Sequence, residues 1–162
     1  MTKSFKYKAF ISYSHQDKKW GDWLHKKLET YQIPKPIIGN KSEFYDKIPS
    51  RLFPIFRDRE ELATSSELGK QIKQALELSS HLIVICSPRA ANSQWVNQEI
   101  LEFKRMGKAN RILCLIVDGE PYAAEKPELR MEECFPQAIK FKIGSDGNLS
   151  TSPTEPIAGD AR

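Results

Sequence analysis

The amino-acid sequence predicts an α/β fold, a doubly wound sheet of about five parallel strands flanked by helices. The first observation behind this is a pair of uninterrupted apolar runs of strand length, residues 81–86 and 112–117. Strands covered by helices on both faces lose the polar alternation of half-exposed ones, so these two are placed in the sheet's interior. The second is a helical repeat of apolar residues in segments between strands. The third is a polar, Pro- and Gly-bearing break where one period gives way to the other. Right-handed crossovers then build the doubly wound sheet.

Residues 7–13 form a short apolar first strand. After it Trp20, Trp23, Leu24, Leu28 and Tyr31 recur at helical spacing, with Asp17 as the cap and both tryptophans as core residues. Pro34, Pro36 and Gly39 end that helix, and residues 40–51 are a polar loop. Residues 52–56 are the second strand, and Pro54, which cannot donate a ladder hydrogen bond, sets it at the sheet's edge. The charged stretch Arg57, Asp58, Arg59, Glu60, Glu61 leads into a capping box at Thr64 to Glu67. There hydroxyl and carboxylate satisfy the orphan amides of a helix marked by Leu68, Ile72, Ala75 and Leu76. The next helix runs from about Ser93 to Met106, with Lys104 and Arg105 in its last turn, where cations favour the dipole, and Gly107 closing it. A fifth, short strand is expected at 138–143. Residues 144–162, rich in Gly, Ser, Asp, Thr and Pro, are expected to be a hairpin or tail with little core of their own.

A chain of 162 residues is sized for one domain that buries a single core without disulfides or metal. The net charge of +4 comes from basic residues spread along the chain. The nearest approach to a cluster, Lys18, Lys19, Lys26 and Lys27, falls on the polar side of the first helix and reads as a solvated face, so no nucleic-acid partner is expected. The 3 cysteines, Cys86, Cys114 and Cys134, are odd in number and widely spaced, as in a reducing compartment, and two sit inside apolar runs where a thiol packs as a small hydrophobe. No leader-like start and no stretch of about 18 apolar residues is seen, so a cytoplasmic location without membrane contact is expected.

Several uses of an open parallel sheet are excluded by what is missing. Residues 12–17 contain no glycine, which argues against dinucleotide binding of the oxidoreductase kind, and there is no Walker-type loop. A phospho-acceptor receiver needs acids clustered at strand ends to hold magnesium, and the first strand ends in Ser-Tyr-Ser. His15, His25 and His81 share no ligand spacing, so no metal is expected; His25 reads as a helix-surface residue. Ser12 and Ser14 lie in no Gly-flanked elbow and are better suited to positioning a ligand than to attacking one.

Glu99 is the strongest candidate for chemistry. Val96, Ile100 and Phe103 make the buried stripe of its helix, and Trp95, Glu99 and Met106 lie together to one side, the indole one turn before the carboxylate. The helix follows strand 81–86 and so starts at the edge where open parallel sheets form their crevice. A carboxylate flanking the core and backed by an indole is partly desolvated, the setting in which acids become chemically useful. A solvated glutamate at a helix boundary is the other reading, and geometry alone leaves both open.

Taken together, the strand Ala9-Phe10-Ile11-Ser12-Tyr13-Ser14, the loop beginning Arg57-Asp58, the segment 72–87, and Ser93-Gln94-Trp95 followed by Glu99 resemble bacterial Toll/interleukin receptor (TIR) domains, from Tyr7 to about Ile143. The resemblance implies a flavodoxin-like order of five parallel strands. It implies a TIR domain over 1–143, with 144–162 leading towards a further domain outside this sequence. It also implies an NAD glycohydrolase of bacterial defence or signalling, with Glu99 catalytic and Trp95, Ser12, Tyr13 and Ser14 binding substrate. NAD is then the substrate, and neither cofactor nor metal is implied. The loop Arg57, Asp58, Arg59, Glu60, Glu61 would make head-to-tail contacts with other TIR domains. Two positions depart from the pattern: Val96 stands where many relatives carry cysteine, and residues 63–66 stand where a glycine often opens the second helix. Two rival functions are a non-enzymatic TIR–TIR interaction domain and a sensor that binds a nucleotide without cleaving it.

Overall fold

The computed structural model of the chain describes residues 5–57 and 69–162. In chain order its strands are β1 (Tyr7–Ser12), β2 (Ile55–Phe56), β3 (Ser79–Cys86), β4 (Ile112–Ile116), β5 (Phe141–Ile143), β6 (Leu149–Pro153) and β7 (Ile157–Asp160). Its helices are α1 (Lys18–Thr30), α2 (Lys70–Glu77), α3 (Pro88–Ala91), α4 (Gln94–Arg105) and α5 (Gln137–Lys140). Five strands lie side by side in the order β2-β1-β3-β4-β7, all parallel, with helices flanking them in the flavodoxin-like manner. β5 and β6 pair antiparallel in a separate hairpin. The second strand is at the rim as expected, but it is shorter than residues 52–56: β2 begins at Ile55, and Pro54 precedes it.

Alternation along β1 sorts its side chains between two cores. Phe10 faces the layer built by Ile72 and Leu76 of α2, Val96, Ile100 and Phe103 of α4, and Ile139 of α5. Ala9 and Ile11 face Leu24 of α1. Phe10, Leu76, Leu82, Ile100 and Phe103 are fully buried, and each such side chain stabilises the fold by about 1.5–3 kcal/mol relative to exposure. Where α2 gives way to β3, Lys108 Nζ donates to Leu76 O in the last turn of the helix at 2.7 Å and to Ser79 O at the start of the strand at 2.8 Å, tying the two elements together.

Four further expectations are corrected. The fifth parallel strand is β7 and not the segment 138–143, which divides between the short helix α5 and the first strand of the hairpin. All four residues of β7 are exposed, so ladder bonds to β4 place it and its sequence carries little apolar signal. The stretch expected to be a hairpin or tail therefore supplies both a hairpin strand and the sheet's last strand.

Second, β4 is interior to the sheet but not covered on both faces. Leu113 is 38% exposed, because the helix on that face, α1, packs over β1 and β2. Third, Trp23 is exposed at the outer edge of α1, edge-on to Trp20 with centroids 5.6 Å apart, rather than in the core. Fourth, Asp17 occupies the N-cap position of α1 without making a capping bond. The capping box at 64–67 lies outside the described residues.

Candidate active site

Two elements bring the central pair together. β1 delivers Ser12 at its C-terminal end, on the face turned towards α4. Helix α4 begins where Ser93 accepts the amide of Val96 at 3.2 Å, a side-chain cap that fixes the helical phase from its first turn. With Val96, Ile100 and Phe103 all buried against the sheet, Glu99 is carried to the same side. The carboxylate is not at a solvated boundary: Glu99 is 1% exposed and Ser12 is fully buried, and Ser12 Oγ donates to Glu99 Oε1 at 3.3 Å. A buried carboxylate needs donors to offset lost hydration, and this hydroxyl is one of them.

The other expected substrate contacts divide. Trp95 stands one turn before Glu99, half-buried against the α4-side core. Ser14 is buried and its hydroxyl accepts the amide of Gln16 at 3.3 Å, capping a 3-10 turn over His15–Asp17. Tyr13 points to the opposite face of the sheet from Ser12, because successive strand residues alternate. Its ring packs into the α1-side core, close enough to Gly21 that a Cβ there would sit 3.0 Å from it, and its hydroxyl donates to Arg57 O at 3.1 Å. The structure thus joins Ser12 to Glu99 and sets Tyr13 apart from them. Of the proposed self-association loop, Arg57 is described and is paired with Asp22 of α1. Asp58, Arg59, Glu60 and Glu61 lie outside the described residues.

Beside this pair lies a second buried polar cluster that sequence reasoning missed. Asp17, 3% exposed, accepts Ser87 Oγ at 2.5 Å and Arg89 Nε at 2.7 Å, and Arg89 Nη1 reaches Asp118 at 3.1 Å. The same Ser87 hydroxyl accepts the amide of Ala90 at 3.0 Å, so it caps α3 while donating to Asp17. The hydrogen bond that Arg89 donates to Asp17 raises its guanidinium above its usual range. This network ties together the loops that leave β1, β3 and β4 at the sheet's C-terminal edge. Ser87 before Pro88 was a visible helix-start signal, but its partner lies 70 residues away and no local pattern displays that.

Other chemistries find little support. Hydrogen bonding with Cys114, followed by burial, pushes the Cys86 thiol up, and burial pushes Cys134 up to about 12, so neither supplies a thiolate nucleophile near neutral pH. Among the described residues no three His, Cys, Asp or Glu side chains gather as a metal site, and no helix is long and apolar enough to cross a membrane.

Comparison with known proteins places this geometry in context. A family model described as the TIR domain matches residues 9–144. The chain is also 33% identical over 144 residues to the NAD(+) hydrolase ApTIR of Actinoplanes sp., an alignment that covers 87% of this chain and 18% of that protein. The chain therefore spans less than a fifth of the length of this relative.

Proposed function

The chain belongs to the TIR domain family, and from that premise we propose that it is an NAD glycohydrolase, releasing nicotinamide together with ADP-ribose or a cyclic ADP-ribose isomer. The observation that carries the reading is the buried Glu99 carboxylate, held by Ser12 at the C-terminal edge of a parallel sheet, with an indole one turn before it. The likeness to an NAD(+) hydrolase supports the choice of substrate.

One carboxylate suffices for this chemistry. Nicotinamide in NAD is already a cationic leaving group: the bond from ribose to the pyridine nitrogen breaks with its electron pair going to nitrogen, and no general acid is needed, unlike at an ordinary glycosidic bond. Glu99 stabilises the oxocarbenium-like ribosyl centre and bonds the ribose hydroxyls, a preorganised charge in a low-dielectric site. Ser12 holds one carboxylate oxygen in place, and Trp95 offers a face to a flat ring. Water then attacks the ribosyl carbon and loses a proton, or an adenine nitrogen captures it intramolecularly. Because Glu99 is almost wholly covered, the sugar reaches it only when the covering residues part, so turnover includes an opening step.

Within this reading the domain works in the cytoplasm in bacterial defence or signalling and is activated by self-association through the loop that starts at Arg57. A head-to-tail contact of that kind propagates and makes activity rise with concentration. The test measures nicotinamide release across a range of protein concentrations for the wild type and Glu99→Ala. The expected result is release that rises more than linearly with the wild type and is absent with the variant. Equal and negligible NAD loss in both at the highest concentration overturns the enzymatic reading in favour of a TIR–TIR interaction module.

A further inference from the structure

At the opposite edge of the sheet, where β4 begins, the described residues line a partly open cavity of about 480 Å³. That size lies within the range of small-molecule sites. Its walls are largely apolar, with Ile112, Cys114, Ile139 and Ile157 among them, and two lysines line it, Lys104 and Lys142, against one carboxylate, Glu155. Lys104 is 5% exposed. Its ammonium donates to Ala138 O at 2.5 Å and Phe141 O at 2.7 Å, and no carboxylate among the described residues forms an ion pair with it.

Lys108, one helical turn further along the chain, shows what such a lysine does as structure alone. It too is buried and bonded to backbone carbonyls, but it borders no part of this cavity. What sets Lys104 apart from its neighbour is the apolar space beside its buried, carbonyl-bound ammonium. The two carbonyls take two of its three N–H donors and leave its charge uncompensated, and burial pulls the ammonium down to about 8.

We propose that this cavity is a second ligand site, distinct from the Ser12–Glu99 pair, and that it takes a small monocarboxylate with an aromatic or branched apolar body. The apolar body replaces water along the isoleucine wall, and the carboxylate completes the charge of Lys104 where the local dielectric is low. A nucleotide does not suit it, since two ammonium groups in an apolar lining provide no cradle of amides for several phosphates. The site does not depend on NAD cleavage, and its test uses no NAD.

The test is an amide NMR titration of the whole chain with 1-naphthoate and with its neutral counterpart 1-naphthylmethanol. The carboxylate is expected to bind at least tenfold more tightly than the alcohol, with shifts concentrated at Lys104, Ile112, Cys114 and Ile139. Ala109→Trp, at the exposed rim of the cavity, is expected to abolish binding while the rest of the spectrum is preserved. Lys104→Gln should reduce the tenfold preference to near parity. If that variant fails to fold, Lys142→Gln serves instead and should lower affinity several-fold. Equal affinity for acid and alcohol, shifts scattered over the surface, or binding that survives Ala109→Trp overturns the proposal.

Discussion

The two edges of the sheet bury charge in different ways. At the C-terminal edge the buried groups are carboxylates, Glu99 and Asp17, and the donors named for them are side chains from other elements: Ser12, Ser87 and Arg89. At the N-terminal edge the buried groups are cations, Lys104 and Lys108, and the acceptors are backbone carbonyls. A carbonyl is fixed by the fold and holds a cation in one place, which makes Lys108 a brace and leaves Lys104 the one of the two that also faces a cavity. A hydroxyl or guanidinium can exchange its partner for a ligand atom, so the first arrangement can be opened and reused.

If that contrast holds, the largest effect comes from Glu99→Gln, which keeps the shape and removes the charge. Nicotinamide release is expected to fall by about 10²–10³-fold or more while the melting temperature stays close to wild type. Retained turnover would break the comparison at its centre. Lys108→Met should act in the opposite sense. Leaving the carbonyls of Leu76 and Ser79 buried without their donor is expected to cost about 2–4 kcal/mol in urea unfolding. Activity per folded molecule should be preserved.

Asp17→Asn comes next. It keeps a hydrogen-bonding side chain but removes the charge facing Arg89, and the expected loss is about 1–2 kcal/mol. A larger fractional drop in kcat than in stability would show that the network also positions the β1 loop. The smallest effect concerns His81, which burial, aided by the Arg111 and Lys108 charges, holds down to about 4 from 6.5. The unfolded chain binds this proton from about pH 6.5 downward and the folded chain only near pH 4. Stability should therefore fall as pH drops through that window and be untouched by His81 above it. Thermal melts at pH 7 and pH 4.5 should show a difference that narrows in His81→Gln.

What the sequence disclosed follows from where each signal was stored. The apolar runs of β3 and β4, the edge position implied by Pro54 and the stripe of α4 that fixes Glu99 are local patterns, legible because period and burial are linked within one element. The face on which Tyr13 lies was also implicit, since alternation separates it from Ser12, but a list of neighbouring polar residues at a strand end obscures that difference. Asp17 looked like a cap because its position is that of a cap, and only tertiary proximity reveals that Ser87 and Arg89 claim its oxygens. β7 was hidden for another reason: a strand held by its ladder at an exposed edge carries no burial pattern to read. The depth of Glu99 was likewise underestimated, because a helical wheel gives direction but not how much of the molecule lies beyond it.

The late position of β7 bears on how this protein is handled. The TIR match ends at residue 144, but the sheet closes with Ile157–Asp160, and Arg162 fastens that strand to Glu120 and the carbonyl of Gly119. Trimming the gene to the matched region would strip β4 of its neighbour and turn an interior strand rich in isoleucine, leucine and cysteine into a bare template for other chains. Loss of soluble yield on such trimming would then report an unsealed sheet margin, not a missing activity.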